Sequence, residues 1–262
     1  MRENIIPLFK VFMSDKGPKR VSEVLMSGFI GQGSKVDEFE SLLKEFFHTP
    51  NVVTTNAATS AEHIALHMLK RPERNVKGYH GVAFVENQWD GIGPDDEVLT
   101  TPLTCTATNW PILANGLKLK WVDVDPNTCN MDLDDLERKL SPTTKAIMVV
   151  HWGGYPVDLD RLKDIQDKCQ SLYGFRPAVI EDCAHAFGST YKGSKIGSHG
   201  NICTFSFQAI KHLTTGDGGC VVFPYDKQVE RAKLLRWYGI DRNDIRKDFR
   251  CESDIPEYGF KM

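Results

Sequence analysis

Lys145-Ala146-Ile147-Met148-Val149-Val150, a stretch from Leu159 to Leu172, and Ala178-Val179-Ile180-Glu181 follow one another in the chain. The first and third runs are short and continuously apolar, which is how a strand covered on both faces reads. The stretch between them spaces its apolar residues as one face of a helix does. Strand, helix and strand in succession predict a parallel pair joined by a crossover. Working outward, similar runs recur at Val52-Val53-Thr54-Thr55, Glu97 to Thr100, Leu117 to Val124, Ile202 to Phe205 and Gly219 to Phe223. Helical spacing lies between some of them: at Thr59 to Leu69, with Ala61, Ile64, Ala65, Met68 and Leu69 on one face, and at Leu133 to Leu140. The pattern predicts an α/β fold with a doubly wound, mainly parallel sheet. In such sheets ligands sit at the carboxyl ends of the strands.

Composition is that of an ordinary globular chain: 262 residues, 41% hydrophobic and 26% charged. A chain of this size buries roughly 70–75% of its unfolded surface, enough for one substantial core. The net charge is −3 and there is no basic block, so nucleic acid is not an expected partner. The longest apolar runs, such as Ala146 to Val150, fall far short of the ~20 residues that span a bilayer. The N-terminus, Met1-Arg2-Glu3-Asn4, lacks a signal-peptide pattern, so a soluble, cytoplasmic protein without a membrane partner is expected. Cysteines at 105, 129, 169, 183, 203, 220 and 251 are scattered with no C-x-x-C. They suggest neither a disulfide framework nor a metal site, and several read as small buried hydrophobes.

Ahead of the alternating region come an extended Ile5-Ile6-Pro7-Leu8-Phe9, a helix from Pro18 to Ser27, a loop Gly28 to Gly33 and a helix from Val36 to Phe47. Arg71 to Asp95, rich in Gly, Asn, Asp and Pro, reads as an extended loop, and loops of that length are uncommon without a role. The glycines at 28, 31 and 33 have the wrong spacing for G-x-G-x-x-G, and neither G-x-x-x-x-G-K-[ST] nor G-x-S-x-G occurs. Rossmann oxidoreductase, P-loop and α/β-hydrolase chemistry therefore lose their warrant.

What remains lies mostly at strand ends. In Val179-Ile180-Glu181-Asp182-Cys183-Ala184-His185-Ala186, a carboxylate closing an apolar strand is costly to bury without a cation such as a pyridinium nitrogen. Asp182 could equally cap the turn that follows. In Cys203-Thr204-Phe205-Ser206-Phe207-Gln208-Ala209-Ile210-Lys211, the lysine follows a buried strand and is either a Schiff-base lysine or a solvated loop residue. The hydroxyls of Thr204 and Ser206 fall on one face, where they could bind an anion or merely end the strand. Asn56-Ala57-Ala58-Thr59-Ser60-Ala61 offers a helix N-terminus to a phosphate, or is a plain N-cap. In combination and in this order, these are the parts of a pyridoxal phosphate site.

The chain resembles the DegT/DnrJ/StrS family of fold type I, pyridoxal phosphate-dependent sugar aminotransferases. Nearly its whole length carries the likeness, in the family's order: Ile6-Pro7-Leu8, Gly31-Gln32-Gly33, the Thr59-Ser60 helix start, Asp123-Val124-Asp125-Pro126, His151 to Asp158, Glu181 to Ala186, Ser206-Phe207 with Lys211, and Gly216-Asp217-Gly218-Gly219. The resemblance implies a seven-stranded large domain over residues 51–250, preceded by an arm and helices over 1–50. It implies that Lys211 holds the cofactor as a Schiff base and shuttles a proton, and that Asp182 pairs with the pyridine nitrogen. Thr59, Ser60 and Ser206 match phosphate-binding positions, and His185 matches a position near the phenolic oxygen. A lysine at 211 sets the chain apart from the dehydratase branch, which has histidine there. The implied reaction moves an amino group from an amino acid, glutamate being the expected donor, to a nucleotide-linked keto-deoxy sugar, within a homodimer.

The chain departs from the family at several points. Cys105, in Thr104-Cys105-Thr106-Ala107-Thr108, stands where relatives stack an aromatic ring on the cofactor. It lines the cofactor position but cannot stack, and Trp110 is a nearby alternative. Gln208 stands where histidine is common, and the 71–95 loop is inserted. Residues 251–262 read as the start of a truncated C-terminal segment, with the small C-terminal domain expected to be missing. The alternative reading is a catalytically inactive cofactor-binding or scaffolding relative, or a truncated fragment. An enzyme of the same fold acting on a smaller amino compound is a weaker rival.

Overall fold

The computed structural model describes residues 6–7, 9–71, 91–241, 255 and 257–262. Ile5, Leu8, Cys251 and most of the expected 71–95 loop lie outside the described residues, as does much of the segment expected over 251–262.

Two helices, α1 (Gly17–Ser27) and α2 (Ser34–Phe47), lead into β1 (Val52–Thr55) and α3 (Ala58–Met68). Then come β2 (Glu97–Thr100), α4 (Thr106–Ala114), β3 (Lys118–Trp121), α5 (Leu133–Lys139) and β4 (Thr144–Val150). They are followed by α6 (Leu159–Tyr173), β5 (Ala178–Asp182), a small hairpin β6 (Thr190–Tyr191) and β7 (Ser194–Lys195), β8 (Ile202–Ser206), β9 (Gly219–Val222) and α7 (Asp226–Arg236). The seven long strands form one sheet in the order β1-β9-β8-β5-β4-β2-β3. Only β9 runs antiparallel, to both β1 and β8, so the sheet is mainly parallel as expected.

The core explains why the strands read as unbroken apolar runs. Along β4, Ile147 and Val149 enter one cluster with Leu43 and Phe47 of α2, Leu136 of α5 and Leu162 and Ile165 of α6. Ala146 and Met148 enter the other, with Ile64 of α3, Ile112 of α4 and Leu235 of α7. Successive side chains point to opposite faces and both faces are covered by helices, so the strand is continuously apolar from Ala146 to Val150.

Three elements were not expected from the pattern. Helix α4 carries Pro111 in its interior, which ordinarily argues against a helix. Helix α7 buries Gln228, Arg231 and Arg236 beside Ala232 and Leu235, so its inner face does not look apolar. The third is the β6–β7 hairpin, whose strands are two residues each. The expected strand at Leu117 to Val124 is shorter, because β3 lies at the sheet edge with Lys118 and Trp121 exposed.

Residues 257–262 close against this body. Phe260 N–H donates to Leu235 O and Tyr238 N–H to Phe260 O, at 2.6 and 2.9 Å. Arg231 grips Glu257 through both carboxylate oxygens, at 2.8 and 2.6 Å.

Candidate active site

Asp182 is the last residue of β5, at the carboxyl end of the sheet, and is 4% exposed. Its Oδ1 accepts from Ala184 N–H at 2.9 Å, so it does cap the turn that follows. Its Oδ2 accepts from Thr108 Oγ1 of α4 at 2.6 Å. The Thr108 proton is committed there, so Thr104 Oγ1, 2.7 Å away, must donate to Thr108. Two hydroxyls one helical turn apart thus feed one buried carboxylate.

The neighbouring strand β8 pairs Thr204 with Asp182. Thr204 turns its hydroxyl to Glu181 O, 3.3 Å away, leaving Ser206 at the strand end. Ser206 lies opposite Gly219 of β9. A Cβ on Gly219 would stand 2.5 Å from the backbone of both Ala57 and Ala58, so glycine is what lets β9 touch the start of α3. That start has no side-chain cap: Ala57 is the N-cap residue, and Asn56 instead accepts from Ser60 Oγ at 2.6 Å. The N-cap position in the Asn56 to Ala61 segment thus falls on Ala57, which has no side-chain oxygen to cap with. The first amides of α3 therefore have no side-chain cap, and Thr59 and Ser60 lie in its first turn, an arrangement with which helix N-termini can bind anions.

Lys211 is half-buried in the loop after β8. The loop folds back on itself: Lys211 N–H donates to Gln208 O at 2.9 Å, and Thr215 N–H to Phe207 O at 2.9 Å. The Lys211 charge reaches both Glu62 and His185. His185 is held below its ordinary pKa by burial first and then by Lys211. A neutral His185 accepts from Gly153 N–H at Nδ1, 3.4 Å away, which leaves Nε2–H as a donor.

Cys105 is exposed immediately before α4, three residues from Thr108 and so on the same side of the helix. Trp110 follows Thr108 by two residues, about 200° round the helix, and is 63% exposed. It does not share the face that meets Asp182. Gln208 is exposed and folds its side chain onto Ile210 N–H at 2.9 Å.

Two site residues escaped the sequence reading. Thr108 is part of a Thr104/Thr108 pair at helical spacing, a signal available only once α4 is recognised as a helix. Glu62 is buried on α3 beside Asp182. With Leu66 one turn later it extends the buried stripe of α3, so an acid there was visible as an anomaly.

His151, Glu181 and Cys183 bring possible ligand atoms within 4.8 Å of one another. Their hydrogen bonds are already spent. Val157 N–H donates to His151 Nδ1, which places the ring proton on Nε2, 2.7 Å from Glu181. Asn201 donates to the other Glu181 oxygen at 2.7 Å, and these contacts hold Glu181 below the ordinary range against its burial. The cluster ties the ends of β4 and β5 together. Cys169, Cys183, Cys203 and Cys220 are buried as expected.

Residues 13–76 and 83–262 match the DegT/DnrJ/EryC1/StrS aminotransferase family. The chain belongs to that family. Of solved structures, AtS13 from Actinomadura melliaura is 52% identical with a TM-score of 0.87, over 100% of this chain and 64% of that one. Spr1654 from Streptococcus pneumoniae, in its PLP form, is 29% identical with a TM-score of 0.79, over 97% of this chain and 62% of that one. The GDP-perosamine synthase of Escherichia coli O157:H7 is 36% identical, over 83% of this chain and 52% of its own length. The fold is accordingly that of the fold type I sugar aminotransferases in the DegT/DnrJ/EryC1/StrS family. Among the described residues, no helix is long and apolar enough to cross a membrane.

Proposed function

We propose that this chain carries the cofactor-binding machinery of a pyridoxal phosphate-dependent aminotransferase that moves an amino group from an amino acid, glutamate being the expected donor, to a nucleotide-linked keto-deoxy sugar. The observation that carries this reading is the convergence at one sheet end of buried Asp182, half-buried Lys211 and the uncapped start of α3.

These residues fit the cofactor's chemistry. The α3 amides, Thr59, Ser60 and Ser206 suit a phosphate. Asp182, fixed by Thr108 and Ala184, suits a protonated ring nitrogen. His185, whose Nδ1 accepts from Gly153 N–H, would offer its Nε2–H to an oxygen of the cofactor. Pyridoxal phosphate, when bound, supplies a ring that accepts negative charge from the substrate carbon. Lys211 would make the covalent attachment and, once displaced by the amino donor, carry a proton to and from that carbon.

Homodimerisation belongs to this reading. None of α1 is buried, although it carries Val21, Leu25 and Met26, and Phe29 and Ile30 beyond it are also exposed. An apolar surface of this kind suits a second copy of the chain.

Cys105 favours a second reading, a relative that binds the cofactor without turnover, because neither it nor Trp110 offers the ring a stacking partner. One experiment separates the two. Protein incubated with pyridoxal phosphate is expected to acquire a visible absorbance band that borohydride fixes on the Lys211 peptide, and Lys211→Ala abolishes the label. Absence of label on the wild-type chain rejects both readings. Label without loss of the band on adding glutamate selects the inactive relative.

A further inference from the structure

Glu62 lies on the inner side of α3 and is 1% exposed. Its Oε2 is buried and receives no donor among the described residues. It interacts directly with Asp182, and Cys105 and Lys211 are the other charged or titratable groups that act on it. Two ionised carboxylates cannot share such a place, because both only accept hydrogen bonds and their charges repel. Each Asp182 oxygen has room for more than one donor, and each already has one, from Ala184 N–H and from Thr108. The donor available for the remaining contact is Glu62's own O–H. Burial first, then the Asp182 charge and the bond between them, push the Glu62 carboxyl well above the usual range; Lys211 opposes this.

We propose that Glu62 is a neutral carboxylic acid whose O–H donates to Asp182, making it a positioning residue for the carboxylate that would meet the cofactor's ring nitrogen. The consequence for the cofactor rests on the function proposed above; the shared proton does not. Donors from α3, α4 and the turn after β5 then fix the Asp182 carboxylate from three directions. It need not reorient when a cationic ring nitrogen arrives. The pair also carries one negative charge, which matches one ring-nitrogen proton.

The test begins with the full chain free of cofactor, by infrared difference spectroscopy near pH 8, where exposed carboxyl groups are ionised. The wild type is expected to show the carbonyl stretch of a protonated carboxylic acid, shifted in heavy water and lost in Glu62→Gln. No such band in the wild type, or its persistence in Glu62→Gln, overturns the proposal. Pyridoxal phosphate titrations then read the positioning role. Glu62→Gln, whose amide still donates, should bind within about threefold of wild type, and Glu62→Leu, which packs but cannot donate, about tenfold more weakly. Circular dichroism confirms that both variants fold. Wild-type affinity in Glu62→Leu refutes the positioning role. A band in a chain that binds no cofactor would uphold the shared proton and sink the function proposed above.

Discussion

Asp182 shows how much of this site depends on a single side chain's surroundings. A carboxylate 4% exposed at a strand end survives there because Thr108 and Ala184 donate to it. Thr108→Val keeps the shape of the side chain and removes one of those donors. Loss of a hydrogen bond to a buried charged group costs roughly 1–3 kcal/mol. Chemical denaturation of the cofactor-free chain is expected to show that loss for Thr108→Val, while Thr108→Ser, which keeps the hydroxyl, stays near wild type. Equal stability of all three would mean that Thr108 does not support Asp182. Asp182 and Lys211 could be picked out from sequence because acids and lysines are conspicuous beside buried strands. Thr108 could not, because a threonine near a proline-containing segment looks like loop. Glu62 sits at the edge of the face that Ala61, Ile64, Ala65, Met68 and Leu69 form, seven residues before Leu69, so a buried acid there is legible in the spacing although its partner Asp182 is not. The helix is buried nearly all round.

At the scale of elements, the site depends on β9 lying against the start of α3. Gly219 has no unusual dihedral requirement; its role is steric, since a Cβ would meet the Ala57 and Ala58 backbone at 2.5 Å. Backbone cannot rotate away as a side chain does, so Gly219→Ala must push α3 off the sheet. Overpacking of this kind costs about 1–3 kcal/mol. The displaced element carries the proposed phosphate-binding residues Thr59 and Ser60, so the variant should weaken binding of pyridoxal phosphate more than binding of pyridoxal. Parallel titrations of the two compounds check this, and equal weakening of both would place the phosphate elsewhere. The central strands were legible because helices cover both faces of the sheet, so stretches such as Ala146 to Val150 are continuously apolar. Helices α4 and α7 were hidden for opposite reasons: one holds a proline in its interior, and the other turns Arg231 and Arg236 inward. Those arginines pair with Glu257 and Glu40, partners 26 and 196 residues away that no local window contains.

For the whole molecule, the surface and the titration behaviour each lead to a measurement. If the apolar face of α1 meets a second copy, Leu25→Asp should shift the chain from dimer to monomer in light scattering, and a monomeric wild type would remove that role. Stability against pH reflects buried groups of opposite sign. Glu40, Glu181 and Glu257 are buried yet held below the ordinary 4.5 by Arg236 and Thr54, by His151 and Asn201, and by Arg231 and His67. Their contribution is fully present above about 4.5 and is lost as pH falls through their folded values. His63, lowered by burial to about 4 from 6.5, adds stability as pH rises across that interval. Glu62 works in the other direction. Its folded form keeps a proton that the unfolded chain releases above about 4.5, so its contribution is present below that pH and is lost as pH rises toward its folded value. Glu62→Gln keeps a donor but cannot titrate, so it should escape that loss. Relative to wild type, the variant should gain up to about 1.4 kcal/mol for each pH unit above the ordinary carboxylate range. Urea denaturation of both proteins between about pH 5 and 8 measures the difference, in which His63 and the other carboxylates cancel. A difference that stays flat across that range would mean Glu62 is ionised in the folded chain.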